Sequence, residues 1–252
     1  MNITIKNNKQ IDDMRIGGKL LGRALTLLKE SIKPGFNCLD LDKIFANFLK
    51  ENNCDSNFKN YMGYPKYICV SINEQLIHGI PQDREIENGD IISIDAGLIY
   101  NDMHLDAAFT TICGKPKNEK DIELVKITKE SLFLAIEQIK AGVRIGTLSS
   151  TVQKIIEEKG FHLPTAYCGH GIGYEMHEDP QIPNVGKEKT GIRLVKGMTI
   201  CIEPMVQIGT PKTIVEKDQW TVRSADNSMA AHYEHTILVT EYGYEILTAW
   251  ED

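Results

Sequence analysis

The chain repeats one phrase, and that repetition limits what it can fold into more than any other feature. Gly89-Asp90-Ile91-Ile92-Ser93-Ile94-Asp95 is matched far downstream by Gly197-Met198-Thr199-Ile200-Cys201-Ile202-Glu203: a turn glycine, an apolar-rich strand, then an acid. The echo extends to Ile32-Lys33-Pro34-Gly35 and Ile139-Lys140-Ala141-Gly142, each followed by a helix-like run. Cys69 precedes His78-Gly79-Ile80-Pro81 by the same interval at which Cys168 precedes His177-Glu178-Asp179-Pro180. The spacing between copies drifts by a few residues, as in a duplicated unit whose loops have changed length. The unit is much longer than a solenoid repeat, so two related half-domains sharing one site are expected. With no Pro- or Ser-rich linker to divide 252 residues, the expectation is one catalytic domain over 1–252, with halves at about 11–120 and 121–247.

Within each half the order is helix, helix, strands. Apolar residues Met14, Leu21, Leu25, Leu28 and Ile32 mark an amphipathic helix over 11–32, stopped by Pro34-Gly35. Asn37 reads as the N-cap of a second helix over 39–49, with Asp40 in its first turn where the helix dipole favours an acid. Helices at 122–139 and 148–159, the latter closed by Gly160, repeat the pair. Strands are expected at 67–72, 91–94, 198–202, 213–215, 220–223 and 235–240. This order predicts an α+β domain with helices covering one face of a mostly antiparallel sheet.

Tyr100-Asn101-Asp102-Met103 reads as a hairpin tip. A two-residue loop there pairs Tyr100 with Met103, sets Gly97 opposite Asp106, and makes Asp95 the diagonal neighbour of Asp106 on one sheet face, about 7–8 Å away at the backbone. Two carboxylates so placed repel unless a cation lies between them. Glu203 ends the second copy of the Asp95 phrase, Glu234 lies in another β-like segment, and His170 is flanked by glycines that permit close approach. Four carboxylates and one imidazole form a hard, oxygen-rich set, suited to a pair of Mn(II), Fe(II) or Co(II) ions more than to a structural zinc.

Six scattered cysteines without a C-x-x-C pair argue against a zinc knuckle or a secreted disulfide frame and fit reduced, cytosolic thiols. A formal net charge of −7 argues against nucleic acid as substrate. No apolar run approaches the roughly 20 residues that span a bilayer, so a soluble, cytoplasmic protein is expected.

Cys69-Val70-Ser71-Ile72-Asn73-Glu74, His78-Gly79-Ile80-Pro81, Tyr167-Cys168-Gly169-His170-Gly171-Ile172-Gly173, Ile202-Glu203-Pro204-Met205 and Tyr233-Glu234-His235-Thr236 together resemble the type I methionine aminopeptidases, over nearly the whole chain. The resemblance implies the duplicated pita-bread fold. It also implies two divalent metal ions per chain (cobalt, manganese or iron, with zinc as a further candidate) held by Asp95, Asp106, His170, Glu203 and Glu234, with Asp106 and Glu234 as the bridging acids. The implied activity removes the N-terminal methionine from nascent proteins through a metal-bridging hydroxide, with Glu203 passing its proton to the leaving amine. His177 is implied to bind the carbonyl oxygen and the developing tetrahedral species, and His78 to face the scissile amide. The same resemblance places Phe58, Tyr61, Tyr64, Cys69, Met176 and Trp220 around the methionine side chain. It further implies a small second residue in the substrate, transient contact with the ribosome, and a monomer.

Three departures stand out. Phe58 replaces a common cysteine, Met176 a common aromatic, and Leu105-Asp106-Ala107 the common Gly-Asp-Ser/Thr. Of the remaining histidines, His162 and His232 read as satisfied structural groups and His235 as facing away from Glu234, while His104 shares a sheet face with Asp106. The competing readings are an Xaa-Pro dipeptidase or creatinase relative, which carries an extra N-terminal domain, and a binding protein that has lost its metals, in which the ligand positions would not all be filled. The short stretch between His177 and Glu203 fits type I over type II, and the start of the chain fits the compact bacterial-style form. Because Asn2 is larger than the second residues the family accepts, Met1 is expected to be retained.

Overall fold

The computed structural model describes residues 3–250; Met1 and Asn2, which carry the expectation of a retained methionine, lie outside them. Helices α1 (Asn8–Ser31) and α2 (Cys38–Glu51) are followed by strands β1 (Asp55–Ser56), β2 (Ile68–Ile72), β3 (Gln75–Ile77), β4 (Ile91–Tyr100) and β5 (Met103–Ile112). Helices α3 (Glu119–Ile136) and α4 (Ile145–Glu158) then precede β6 (Cys168–Gly171), β7 (Glu178–Pro183), β8 (Thr199–Ile202), β9 (Met205–Gln207), β10 (Thr213–Val215), β11 (Val222–Ser224), β12 (Ala230–His232), β13 (Glu234–Val239) and β14 (Tyr244–Ile246).

Asparagine caps set the starts of α1, α2 and α3. Asn7 and Gln10 form a reciprocal capping box, side chain to backbone at 3.0 and 2.9 Å, so α1 begins earlier than its apolar periodicity announces. Asn37 accepts from Leu39 N at 2.9 Å as expected, and Asn118 accepts from Asp121 N at 3.0 Å, which moves the start of α3 ahead of Asp121. Gly160, with φ +74°, follows α4 in the left-handed conformation that ends helices.

The main sheet runs β1-β4-β5-β13-β8-β6-β7, with β2 also on β4 and β14 on β13. Its centre is the antiparallel β5–β13 seam, where Glu234 faces Ala108 and His235 faces Ala107. The order is symmetric about that seam. Strand β4, ending its phrase at Asp95, and β8, leading into Glu203, flank it on opposite sides, and β2 and β6, with Cys69 and Cys168, lie next out.

The hairpin has the expected register: Tyr100 pairs with Met103 and Gly97 with Asp106. Strand β4 is longer than its apolar run, because pairing with β5 carries it through Gly97 to the tip. Gly97 is required by close approach: a Cβ there would lie 2.5 Å from Asn57 Nδ2, which donates to Leu105 O at 2.8 Å. Strand β11 starts at Val222, later than expected, because Trp220 N and Thr221 N both donate to Asp218 Oδ1 at 2.9 Å and form a turn.

Side-chain alternation divides the sheet. Helix α1 packs on β4 and β5, and α3 on β5 and β8. Towards the helices point Leu105 and Ala107, both fully buried, and His235, whose Nδ1 lies 3.0 Å from Thr248 Oγ1 and whose ring meets Phe133 edge-on at 5.6 Å. His235 therefore has the structural placement expected of it. Burying a large apolar side chain such as Leu105 contributes roughly 1.5–3 kcal/mol, so the helix-facing layer helps hold the sheet in shape. The opposite face carries the carboxylates.

Candidate metal centre

Asp95 on β4, Asp106 on β5 and Glu234 at the start of β13 offer carboxylate oxygens that all lie within 4.8 Å of one another. Glu203 follows β8, and His170 comes from β6. His170 Nε2 lies 3.6 Å from Glu203 Oε1 and 3.9 Å from Glu234 Oε1. Its Nδ1 is 2.8 Å from Gly171 O, so Nδ1–H donates there and the Nε2 lone pair faces the acids.

The electrostatics of this cluster call for a cation. Burial pushes the carboxyls of Asp106, Glu203 and Glu234 well above the usual range, and repulsion within the cluster, from Asp95 on all three, adds to it. Asp95 is also raised, chiefly by burial. Burial holds His170 neutral, down to about 3, and lowers His78 to about 4. Among the described residues no lysine or arginine lines the cavity, and Asp95 Oδ1, Asp106 Oδ1 and Glu234 Oε1 are buried without a hydrogen-bond partner. Buried acids with orphaned oxygens beside a neutral imidazole are a donor set that fits divalent ions.

His232 corrects the reading of it as a satisfied structural histidine. Its Nε2 lies 3.7 Å from Glu203 Oε2 and 3.9 Å from Glu234 Oε2, and both of its buried ring nitrogens lack a hydrogen-bond partner. A signal was available: His232 stands two positions before Glu234, the spacing that puts two strand residues on one face. His162 instead joins an isolated bridge to Gln207. His104 donates its backbone N–H to Gly173 O at 2.8 Å and lies towards Glu175 and Glu178.

The departure at Leu105 and Ala107 has a structural counterpart. Thr236 on β13 accepts from Asp106 N at 3.0 Å and donates to Asp106 O at 2.7 Å, so the backbone around Asp106 is braced across the seam.

A cavity of about 230 Å³ opens beside the acids, and every residue expected at the site lines it: Asp95, Asp106, His170, Glu203 and Glu234, His78 and His177, and Phe58, Tyr61, Tyr64, Cys69, Met176 and Trp220. Met62, which sequence reasoning missed, completes its lip, exposed and with φ +47°. Phe58, Tyr64, Cys69 and Met176 form a separate apolar cluster with Tyr61 and Trp220 against it. Tyr64 meets Trp220 edge-on at 5.1 Å and Phe58 at 6.4 Å, while its hydroxyl donates towards Ile68 O and Gly79 O at 3.0 Å. His177, at the mouth, has Nδ1 2.9 Å from the Tyr61 hydroxyl and its ring 4.4 Å from that of His170. His78 takes φ +58°, an uncommon conformation for a side-chain-bearing residue and one that clusters at functional sites. A larger open groove of about 650 Å³ beside Lys140, Arg144, Arg193 and Tyr242 contains none of this cluster, so volume alone does not locate the chemistry.

Residues 12–241 match the model of metallopeptidase family M24. The methionine aminopeptidase of Mycoplasma capricolum subsp. capricolum is 57% identical over 249 residues, covering 99% of each chain. The crystal structure of methionine aminopeptidase from Thermotoga maritima superimposes with a TM-score of 0.97 at 43% identity, over 99% of this chain and 100% of that one. The prolidase of Pyrococcus horikoshii gives 0.78 at 27% identity, and only 64% of its length is matched.

Proposed function

The chain belongs to metallopeptidase family M24, among its methionine aminopeptidases with the pita-bread fold, and from that premise we propose that it removes the N-terminal methionine from peptides and nascent chains whose second residue is small. The observation that carries this reading is a single cavity in which buried acids and imidazoles, with no lysine or arginine among the described residues that line it, adjoin an apolar aromatic slot. Asp95, Asp106, His170, Glu203 and Glu234 would hold two divalent ions, manganese, iron or cobalt in preference to zinc, with Asp106 and Glu234 shared between them. Bound there, such a pair supplies Lewis acidity and a water that ionises near neutral pH.

The protein's own groups do the rest. The thioether side chain of methionine lies in the slot of Phe58, Tyr64, Cys69, Met176 and Trp220, whose soft walls suit it. His177, with Nδ1 engaged by Tyr61, directs Nε2 at the carbonyl oxygen, and His78 lies against the scissile amide. Glu203, flanked by His170 and His232, accepts the proton of the attacking water on a carboxylate oxygen and delivers it to the departing amine. Tyr61, His78 and Trp220 crowd the space beyond the bond, which excludes a bulky second side chain. The reading extends to a cytoplasmic monomer meeting emerging chains in transient contact with the ribosome. Among the described residues, no helix is long and apolar enough to cross a membrane.

Peptide hydrolysis tests this reading. Met-Ala-Ser should be cleaved at least about a hundredfold faster than Met-Leu-Ser, the scale on which a steric mismatch of a few kcal/mol discriminates. Ala-Pro should not be cleaved. Preference for Ala-Pro would move the chain to the Xaa-Pro enzymes of the same fold.

A further inference from the structure

The loop that carries Met176 and His177 is fastened to the start of the chain. Glu178 directly follows His177, and its carboxylate gathers the loop: Oε1 accepts from Tyr174 N at 2.6 Å and Glu175 N at 3.1 Å. The other oxygen, Oε2, is bound by Lys6 Nζ at 2.8 Å and by the Thr4 hydroxyl. This ion pair is buried, with the two side chains 1% and 5% exposed. The segment bearing Lys6 is itself anchored, since Lys6 N donates to Gly197 O at 2.9 Å and Ile3 bridges to Asp179. Gly173 makes room: a Cβ there would stand 2.1 Å from Lys6 Cε. The Lys6 ammonium also lies 5.6 Å from the Tyr174 ring centre.

We propose that Lys6 and Thr4 are positioning residues for the reaction: by fixing the Glu178 carboxylate they hold the loop of residues 173–177 so that His177 meets the substrate carbonyl. Neither residue touches the cavity, so their effect runs through Glu178 and the loop. The neighbouring backbone amides use one carboxylate oxygen and the N-terminal segment the other, which makes Glu178 the joint between them. A shift of His177 of the order of 1 Å is sufficient to cost much of its contribution. The inference rests on the role of His177 proposed above.

Removing one member of a buried ion pair strands the other, so the test replaces both, K6M together with E178Q, which leaves the Oε1 acceptor in place. In metal-loaded protein acting on Met-Ala-Ser, this pair of changes should lower kcat about tenfold or more while metal content and Tm stay near the parent values. In an H177A background the same changes should lower kcat by less than about twofold, because the group they position is already gone. An unchanged kcat, or an equal fractional loss in both backgrounds, overturns the proposal. If the double variant does not fold, T4V is read by the same comparison. Failure of the functional reading shows separately, as absence of methionine release by the unaltered enzyme or full activity of H177A alone.

Discussion

Alanine in place of Asp106 or Glu234 is expected to abolish methionine release. Each side chain is buried, each presents an oxygen with no hydrogen-bond partner, and the two lie with Asp95 in one tight group. If both acids are shared between two ions, either loss leaves both ions under-neutralised and one or both unbound. The fall in kcat/KM should exceed the roughly 10–100-fold typical of losing a group that merely hydrogen-bonds a metal-holding residue. The sign of the stability effect separates this from simple unfolding. In metal-free protein, Asp106 is repelled by Glu234, Asp95 and Glu203 and buried besides, so D106N should leave metal-free protein at least as stable as the parent. Metal-loaded D106N should gain less in Tm on loading than the parent does. Turnover and metal content measured on one preparation check both statements, and a near-native rate in D106A or E234A would contradict the shared-acid arrangement.

H177A should show a different signature: unchanged metal content with a loss of roughly 10²–10³ in kcat, the scale for removing one donor to a developing oxyanion. His177 stands at the cavity mouth, hydrogen-bonded to Tyr61 and edge-on to His170, and among the described residues it is His170 and His232, not His177, whose ring nitrogens lie against the carboxylates. Y61F should reproduce part of the loss, since it frees Nδ1. Elemental analysis beside steady-state kinetics checks the pair, and loss of metal from H177A would make His177 a ligand instead.

Much of the site was legible because hairpin geometry is local. Once Asn101 and Asp102 are the tip, period-two alternation places Asp95 and Asp106 on one face without further information. The seam between β5 and β13 is a different case. No local pattern pairs Glu234 with Ala108 across so long a stretch of chain, and the sequence joined Glu234 to the other acids only through composition and the family resemblance, without placing its strand beside β5. His232 was missed because the expected strand was started at His235, so the two-residue spacing was not followed back through Glu234 to a residue that ends the preceding short strand. The Lys6–Glu178 pair carried no sequence signal at all: it joins residues far apart in the chain, and an isolated lysine near the start of a chain ordinarily reads as solvated. Helix starts were misplaced for a simpler reason. Asn7 and Asn118 cap ahead of the first apolar residue, while periodicity registers only the apolar face.

The claim that this cavity is a metal-dependent methionine-releasing site is tested most directly by stripping the protein with a chelator and reloading it with Mn(II), Fe(II), Co(II) or Zn(II) in turn. Methionine released from Met-Ala-Ser is followed against metal bound per chain. Stripped protein should be inactive, and activity should return with bound metal, most strongly with one of the first three ions. Full activity after stripping, or reloaded protein that cleaves only Xaa-Pro bonds, would contradict it.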